Sequence, residues 1–112
     1  MSGITSHVLD LSRGRPADDI GVTLSRLETD GTSIRMGSGR TDSDGRVADL
    51  LDGDLTAGTY RLSFETGAYF ASRDTSCLHP SVEITITVTD PGEHHHVPLL
   101  LSPYGYSTYR GS

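Results

Sequence analysis

Two-residue alternation is the strongest signal along this chain. Val82, Ile84, Ile86 and Val88 interleave with Glu83, Thr85, Thr87 and Thr89, the pattern of a half-buried strand. Asp90-Pro91-Gly92 then ends it with turn chemistry. The same reading predicts strands over 4–11, 21–28, 33–41, 58–65, 95–101 and 106–110, with a short one at 46–48. Asp44-Gly45, between Thr41 and Val47, marks a tight reversal. Only the stretch 67–74 invites a helical turn, and it is too short to nucleate alone. Short strands punctuated by turns predict an all-β sandwich or barrel, with no internal repeat or linker.

The last segment departs from the usual frayed, polar terminus. Leu99-Leu100-Leu101 runs into Tyr104, Tyr106 and Tyr109, and Arg110-Gly111-Ser112 follows. Apolar and aromatic groups so placed predict that the C-terminal strand is buried in a subunit interface.

Composition narrows the picture. At 112 residues the chain is expected to be a single domain, 1–112. Its 34% hydrophobic content builds only a thin core, which association between subunits would supplement. A net charge of −6, with nine scattered Arg and no Lys, argues against a nucleic-acid partner. The single Cys77 excludes an internal disulfide and suits a reducing compartment. With neither a leader pattern nor an apolar run long enough to span a bilayer, the expectation is a cytoplasmic protein without a membrane partner.

Histidines carry the candidate chemistry. Alternation places His94 and His96 on one strand face and His95 on the other. Val97-Pro98-Leu99 follows at once, so His96 borders buried structure, where an imidazole pKa becomes tunable. His7 sits in the first strand; if Ile4, Ser6 and Val8 share one face, Thr5, His7 and Leu9 share the other. Arg46 follows the 41–45 turn, where a guanidinium can clamp a planar, electron-rich ligand. Asp42-Ser43-Asp44-Gly45 resembles a calcium loop only faintly, because the earlier acidic ligand and the downstream Glu are missing. A three-His zinc site from His7, His94 and His96 is a second option, since it would leave an open fourth position for water. Cys77 with His79 is a third, a nucleophile pair, although lone cysteines are mostly packing residues. Nucleophile elbow, Walker loop, dinucleotide fingerprint and Cys-x-x-Cys are all lacking.

The C-terminal string from His96 to Ser112, HVPLLLSPYGYSTYRGS, resembles the ending of the transthyretin-like 5-hydroxyisourate hydrolases. Its closing Tyr109-Arg110-Gly111-Ser112 is similar to the tetrapeptide that separates these enzymes from true transthyretin. Ile4-Thr5-Ser6-His7-Val8-Leu9-Asp10, with Gly14-Arg15-Pro16-Ala17 after it, resembles the family's opening motif. Thr41-Asp42-Ser43-Asp44-Gly45-Arg46 resembles its central one. The likeness weakens from 69 to 81, where Leu78-His79-Pro80 stands in place of a frequent aromatic pair.

The resemblance implies a transthyretin-like two-sheet β-sandwich of about eight strands with one short helix. It also implies a homotetramer, a dimer of dimers, whose active sites line a channel between dimers. The implied reaction is hydrolysis of 5-hydroxyisourate to 2-oxo-4-hydroxy-4-carboxy-5-ureidoimidazoline in urate degradation, with no cofactor and no resident metal. His7, Arg46, His96 and Ser112 match the catalytic positions; His7, Arg46, Tyr109, Arg110 and Gly111 match the substrate contacts. Either His7 or His96 would activate water. A non-catalytic binding module of transthyretin type is the rival expectation, and it would require an apolar lining at these positions.

Overall fold

The alternation read from the sequence becomes a division between an inner and an outer face. The structure is a computed structural model that describes residues 3–51 and 53–112. In β1 (Gly3–Asp10), Ile4, Ser6, Val8 and Asp10 are buried while Thr5, His7 and Leu9 face outward. After β1 come β2 (Arg15–Pro16), β3 (Gly21–Leu27), β4 (Ser33–Arg40), β5 (Arg46–Val47) and β6 (Gly58–Phe64). The helix α1 (Thr66–Ala71) precedes β7 (Val82–Val88), β8 (His94–Ser102) and β9 (Gly105–Thr108). The expected strands all form, and the helical turn appears at α1. Unforeseen was β2, a two-residue strand too short to show any period.

One sheet has the order β2-β1-β8-β9, with β5 also paired to β1; the other has the order β4-β3-β6-β7. All ladders are antiparallel except β1 with β8, which run parallel. Between the sheets lies one apolar core. Ile4, Val8, Val97, Leu99 and Leu101 come from the first sheet, and Val22, Leu24, Tyr60, Leu62, Phe64, Val82 and Val88 from the second. Each such side chain, once fully buried, contributes about 1.5–3 kcal/mol. Of the sandwich and barrel that the alternation allowed, the chain forms the two-sheet sandwich, with one short helix as the resemblance implies.

Helix α1 has no side-chain N-cap, so packing and tertiary hydrogen bonds hold it. Tyr69 and Phe70 are buried, and Gly67 N–H donates to the Pro80 carbonyl at 3.0 Å. The Tyr69 hydroxyl donates to buried Asp10 Oδ2 at 2.7 Å, tying the helix to the end of β1. Ser12 donates to the other Asp10 oxygen from both its hydroxyl and its amide.

The C-terminal segment is exposed within the single chain. β9 is an edge strand, and Tyr104, Tyr106 and Tyr109 are 67%, 42% and 57% exposed. Pairing with β8 breaks at Tyr109 and Arg110 and resumes in the same register, where Gly111 bridges His96. Among the described residues no helix is long and apolar enough to cross a membrane.

Candidate active site

The outer faces of β1 and β8, the start of β5 and the C-terminal tail enclose a cleft of about 490 Å³. Backbone pairing explains how they meet. The parallel register sets Thr5 beside His96 and Gly3 beside His94, and the antiparallel register of β5 sets Arg46 opposite His7. Outward-facing Thr5, His7, His94 and His96 therefore gather on one surface.

A wound turn delivers Arg46. Asp42 Oδ1 accepts the amides of Asp44 at 2.9 Å and Arg46 at 3.0 Å. Gly45 has φ of 76°, and a Cβ there would fall 2.4 Å from the Val8 carbonyl oxygen. Only glycine combines that backbone with so close an approach. The Val8 amide donates to the Gly45 carbonyl at 2.8 Å, stitching the turn to β1. With the Asp42 carboxylate committed to its own loop amides, this is an Asx-type turn and not a calcium loop.

His7 Nε2 lies 2.9 Å from the Asp44 carbonyl oxygen. A carbonyl only accepts, so Nε2 carries a proton and donates it there, and in the neutral tautomer the lone pair is at Nδ1. His96 Nδ1 lies 2.8 Å from Thr5 Oγ1, and the two rings stand 6.5 Å apart between centroids. Burial pushes the His96 pKa below its ordinary value of 6.5, and Arg46, His7 and His94 add to the shift by repelling a further positive charge. The shift favours the neutral imidazole at His96.

The tail closes the cleft with Tyr109, Gly111 and Ser112. Gly111 N–H donates to the His96 carbonyl at 2.8 Å. A Cβ on Gly111 would sit 2.6 Å from His96 Cδ2, so the missing side chain is what admits the imidazole. Arg110, expected among the substrate contacts, is not part of this lining. Its Nη2 donates to Glu93 Oε2 at 2.8 Å and to the His94 carbonyl at 3.3 Å, bracing the tail against the start of β8.

Two of the alternatives drawn from the sequence do not assemble. Among the described residues no group of three or more His, Cys, Asp or Glu is arranged to hold a metal ion, so His7, His94 and His96 do not form the three-ligand zinc set. The Cys77 thiol meets the His79 carbonyl at 3.5 Å, while the His79 ring packs edge-on against Tyr106, so the two do not form a nucleophile pair. Missing from the sequence reading was Thr5, whose hydroxyl joins both His94 and His96. Alternation put Thr5 on the face of His7, but only the parallel pairing of β1 with β8 brings it to the other histidines.

Comparison with known proteins is consistent along the whole chain. Residues 4–111 match the model of the HIUase/Transthyretin family. A 5-hydroxyisourate hydrolase of Caulobacter vibrioides is 44% identical over 100% of both chains. Among solved structures, the 5-hydroxyisourate hydrolase of Klebsiella pneumoniae superposes with a TM-score of 0.88 at 38% identity, covering 100% of each chain. Sea bream transthyretin in complex with thyroxine superposes with a TM-score of 0.90 at 29% identity, covering 96% of this chain and 93% of that one.

Proposed function

The chain belongs to the HIUase/Transthyretin family, and we propose that it is a 5-hydroxyisourate hydrolase, opening the six-membered ring of that substrate to the ureidoimidazoline carboxylate. Fold alone does not separate hydrolase from carrier, because this backbone superposes on both kinds of protein. The observation that carries the reading is the convergence of His7, His96 and Arg46 on one cleft beneath the Tyr109-Arg110-Gly111-Ser112 tail. A carrier for an apolar ligand would gain nothing from two imidazoles and a guanidinium there, and would incur the cost of desolvating them.

The geometry supports the following roles. His96, held neutral, takes a proton from the attacking water through Nε2. His7 orients the water or a ring N–H of the substrate with the Nδ1 lone pair. The Arg46 side chain has no hydrogen-bond partner among the described residues, which leaves its donors for the heterocycle and for the negative charge that grows on the attacked carbonyl oxygen. Tyr109 and Ser112 border the ring from the tail. The exposed tyrosines and the β9 edge accord with the expected homotetramer, in which further copies cover them, since an uncovered edge strand invites pairing.

The test is the ultraviolet decay of freshly generated 5-hydroxyisourate in EDTA, with and without protein. Acceleration that survives the chelator and drops by at least about 100-fold in His96→Ala is expected. No acceleration by the folded protein would reject the hydrolase and favour the carrier. Acceleration abolished by EDTA would reject the metal-free mechanism.

A further inference from the structure

Thr5 Oγ1 has two imidazole neighbours, His96 Nδ1 at 2.8 Å and His94 Nε2 at 2.9 Å. A hydroxyl carries one proton, so these two nitrogens cannot both be acceptors. When Thr5 donates to His94, His96 must donate from Nδ1, and its Nε2 is then a bare lone pair. When His94 donates to Thr5, the hydroxyl can donate to His96 Nδ1, and His96 Nε2 then carries a proton. The three groups therefore share two alternative proton patterns, and in each of them His96 is neutral. They also form a path outward, because His96 is half-buried in the cleft while His94 is exposed.

We propose that Thr5 and His94 are relay residues that carry protons between His96 and solvent, so that His96 acts first as base and then as acid without holding a charge. The inference rests on the hydrolase reading above. In the attack step, the new bond joins the water oxygen to the substrate's carbonyl carbon. His96 Nε2 takes the water proton, its Nδ1 proton passes to Thr5, the Thr5 proton passes to His94 Nε2, and His94 sheds its Nδ1 proton to solvent. In the collapse step the ring C–N bond breaks, and His96 Nε2–H goes to the leaving nitrogen. Thr5 then reprotonates His96 Nδ1, His94 Nε2 reprotonates Thr5, and His94 recovers a proton from solvent at Nδ1. The first pattern is restored, with one proton out, one proton in and no electron transferred.

The surroundings fit a relay of neutral groups. His7 and Arg46 face His96, and together with burial they disfavour an imidazolium there. Asp49 and Asp54 line a hollow shared by Thr5 and His94, at the outer end of the path. Arg110 touches only the His94 carbonyl among these groups and is neutralised by Glu93.

Three variants in dilute buffer test the relay. His94→Ala should lower kcat about tenfold with KM little changed, and millimolar imidazole should restore it by replacing the missing acceptor. Thr5→Val should lose a similar factor, whereas Thr5→Ser, which keeps the hydroxyl, should retain most of the rate. Nitrogen-15 shifts of the His96 ring give a readout independent of turnover: they should move towards the Nε2–H form in His94→Ala, where Thr5 is free to donate to Nδ1. Wild-type kcat in His94→Ala, a loss that imidazole fails to restore, or unchanged His96 shifts would each overturn the relay while the hydrolase stands. Wild-type protein that does not accelerate decay would instead reject the hydrolase, and the relay with it.

Discussion

Gly111→Ala probes whether the tail positions His96, the imidazole proposed as the base. An added Cβ would lie 2.6 Å from His96 Cδ2, 3.3 Å from its Cγ and 3.2 Å from Pro98 Cγ. Carbon atoms pack comfortably at about 3.5–4.0 Å, so ring or tail must yield by roughly 1 Å. On its other side the ring is held by Thr5 at 2.8 Å, and the two main chains are joined by the Gly111 N–H to His96 carbonyl bond. Gly111 has no left-handed φ, so the contact acts without backbone strain. A misplacement near 1 Å costs about 100-fold in rate, equivalent to about 2.7 kcal/mol of transition-state stabilisation. Tyr109, Arg110 and Ser112 around it are exposed, so the fold can relax and should lose less than about 1 kcal/mol. Turnover of 5-hydroxyisourate and a thermal melt on one preparation read both quantities. A folded Gly111→Ala protein with wild-type kcat/KM would refute the idea that the tail's missing side chain sets the position of His96.

Two further outcomes follow from the polar groups. Burial, then Arg46, His7 and His94, hold the His96 pKa below 6.5, so the acid limb of kcat/KM should lie below pH 6.5, and a limb above that value would contradict the assignment of His96 as base. The same shift removes stability on the acid side, because below pH 6.5 the unfolded chain binds a proton that native His96 resists, and denaturant titrations across that range should register the slope. At Asp10, burial pushes the pKa up, but hydrogen bonds from Ser12, Tyr69 and the Arg13 amide outweigh it and hold the carboxyl below 3.8. Its stabilisation is present above that pH and fades as pH falls below it. Tyr69→Phe should cost about 1–3 kcal/mol by leaving Asp10 Oδ2 without its donor, with little effect on turnover. An unchanged denaturation midpoint would show that the bond contributes nothing net.

Much of the molecule was legible because alternation is local. The pattern around Val82–Val88 fixes which atoms face the core whatever the strand pairs with, and the same logic placed His94 and His96 on one face and His7 on the outer side of β1. Arg46 was legible through its turn, since Asp42 and Gly45 organise that loop within a few residues of sequence. The two-residue β2 was not, because it offers no period to read.

Pairing between distant strands belongs to the tertiary structure. Thr5 and His96 are 91 positions apart, and nothing local says that β1 lies parallel to β8 in the register that joins them. A shift of one residue would turn Thr5 and His7 into the core and break up the cleft. Arg110 shows the same limit: the resemblance implies a substrate contact, while in space its guanidinium bonds Glu93 and the His94 carbonyl. Periodicity and turn chemistry, both local, set which side chains could face the site. Which of them touch is a property of the folded chain, because contact depends on register and on close approaches such as Gly111 to His96 that no local rule encodes.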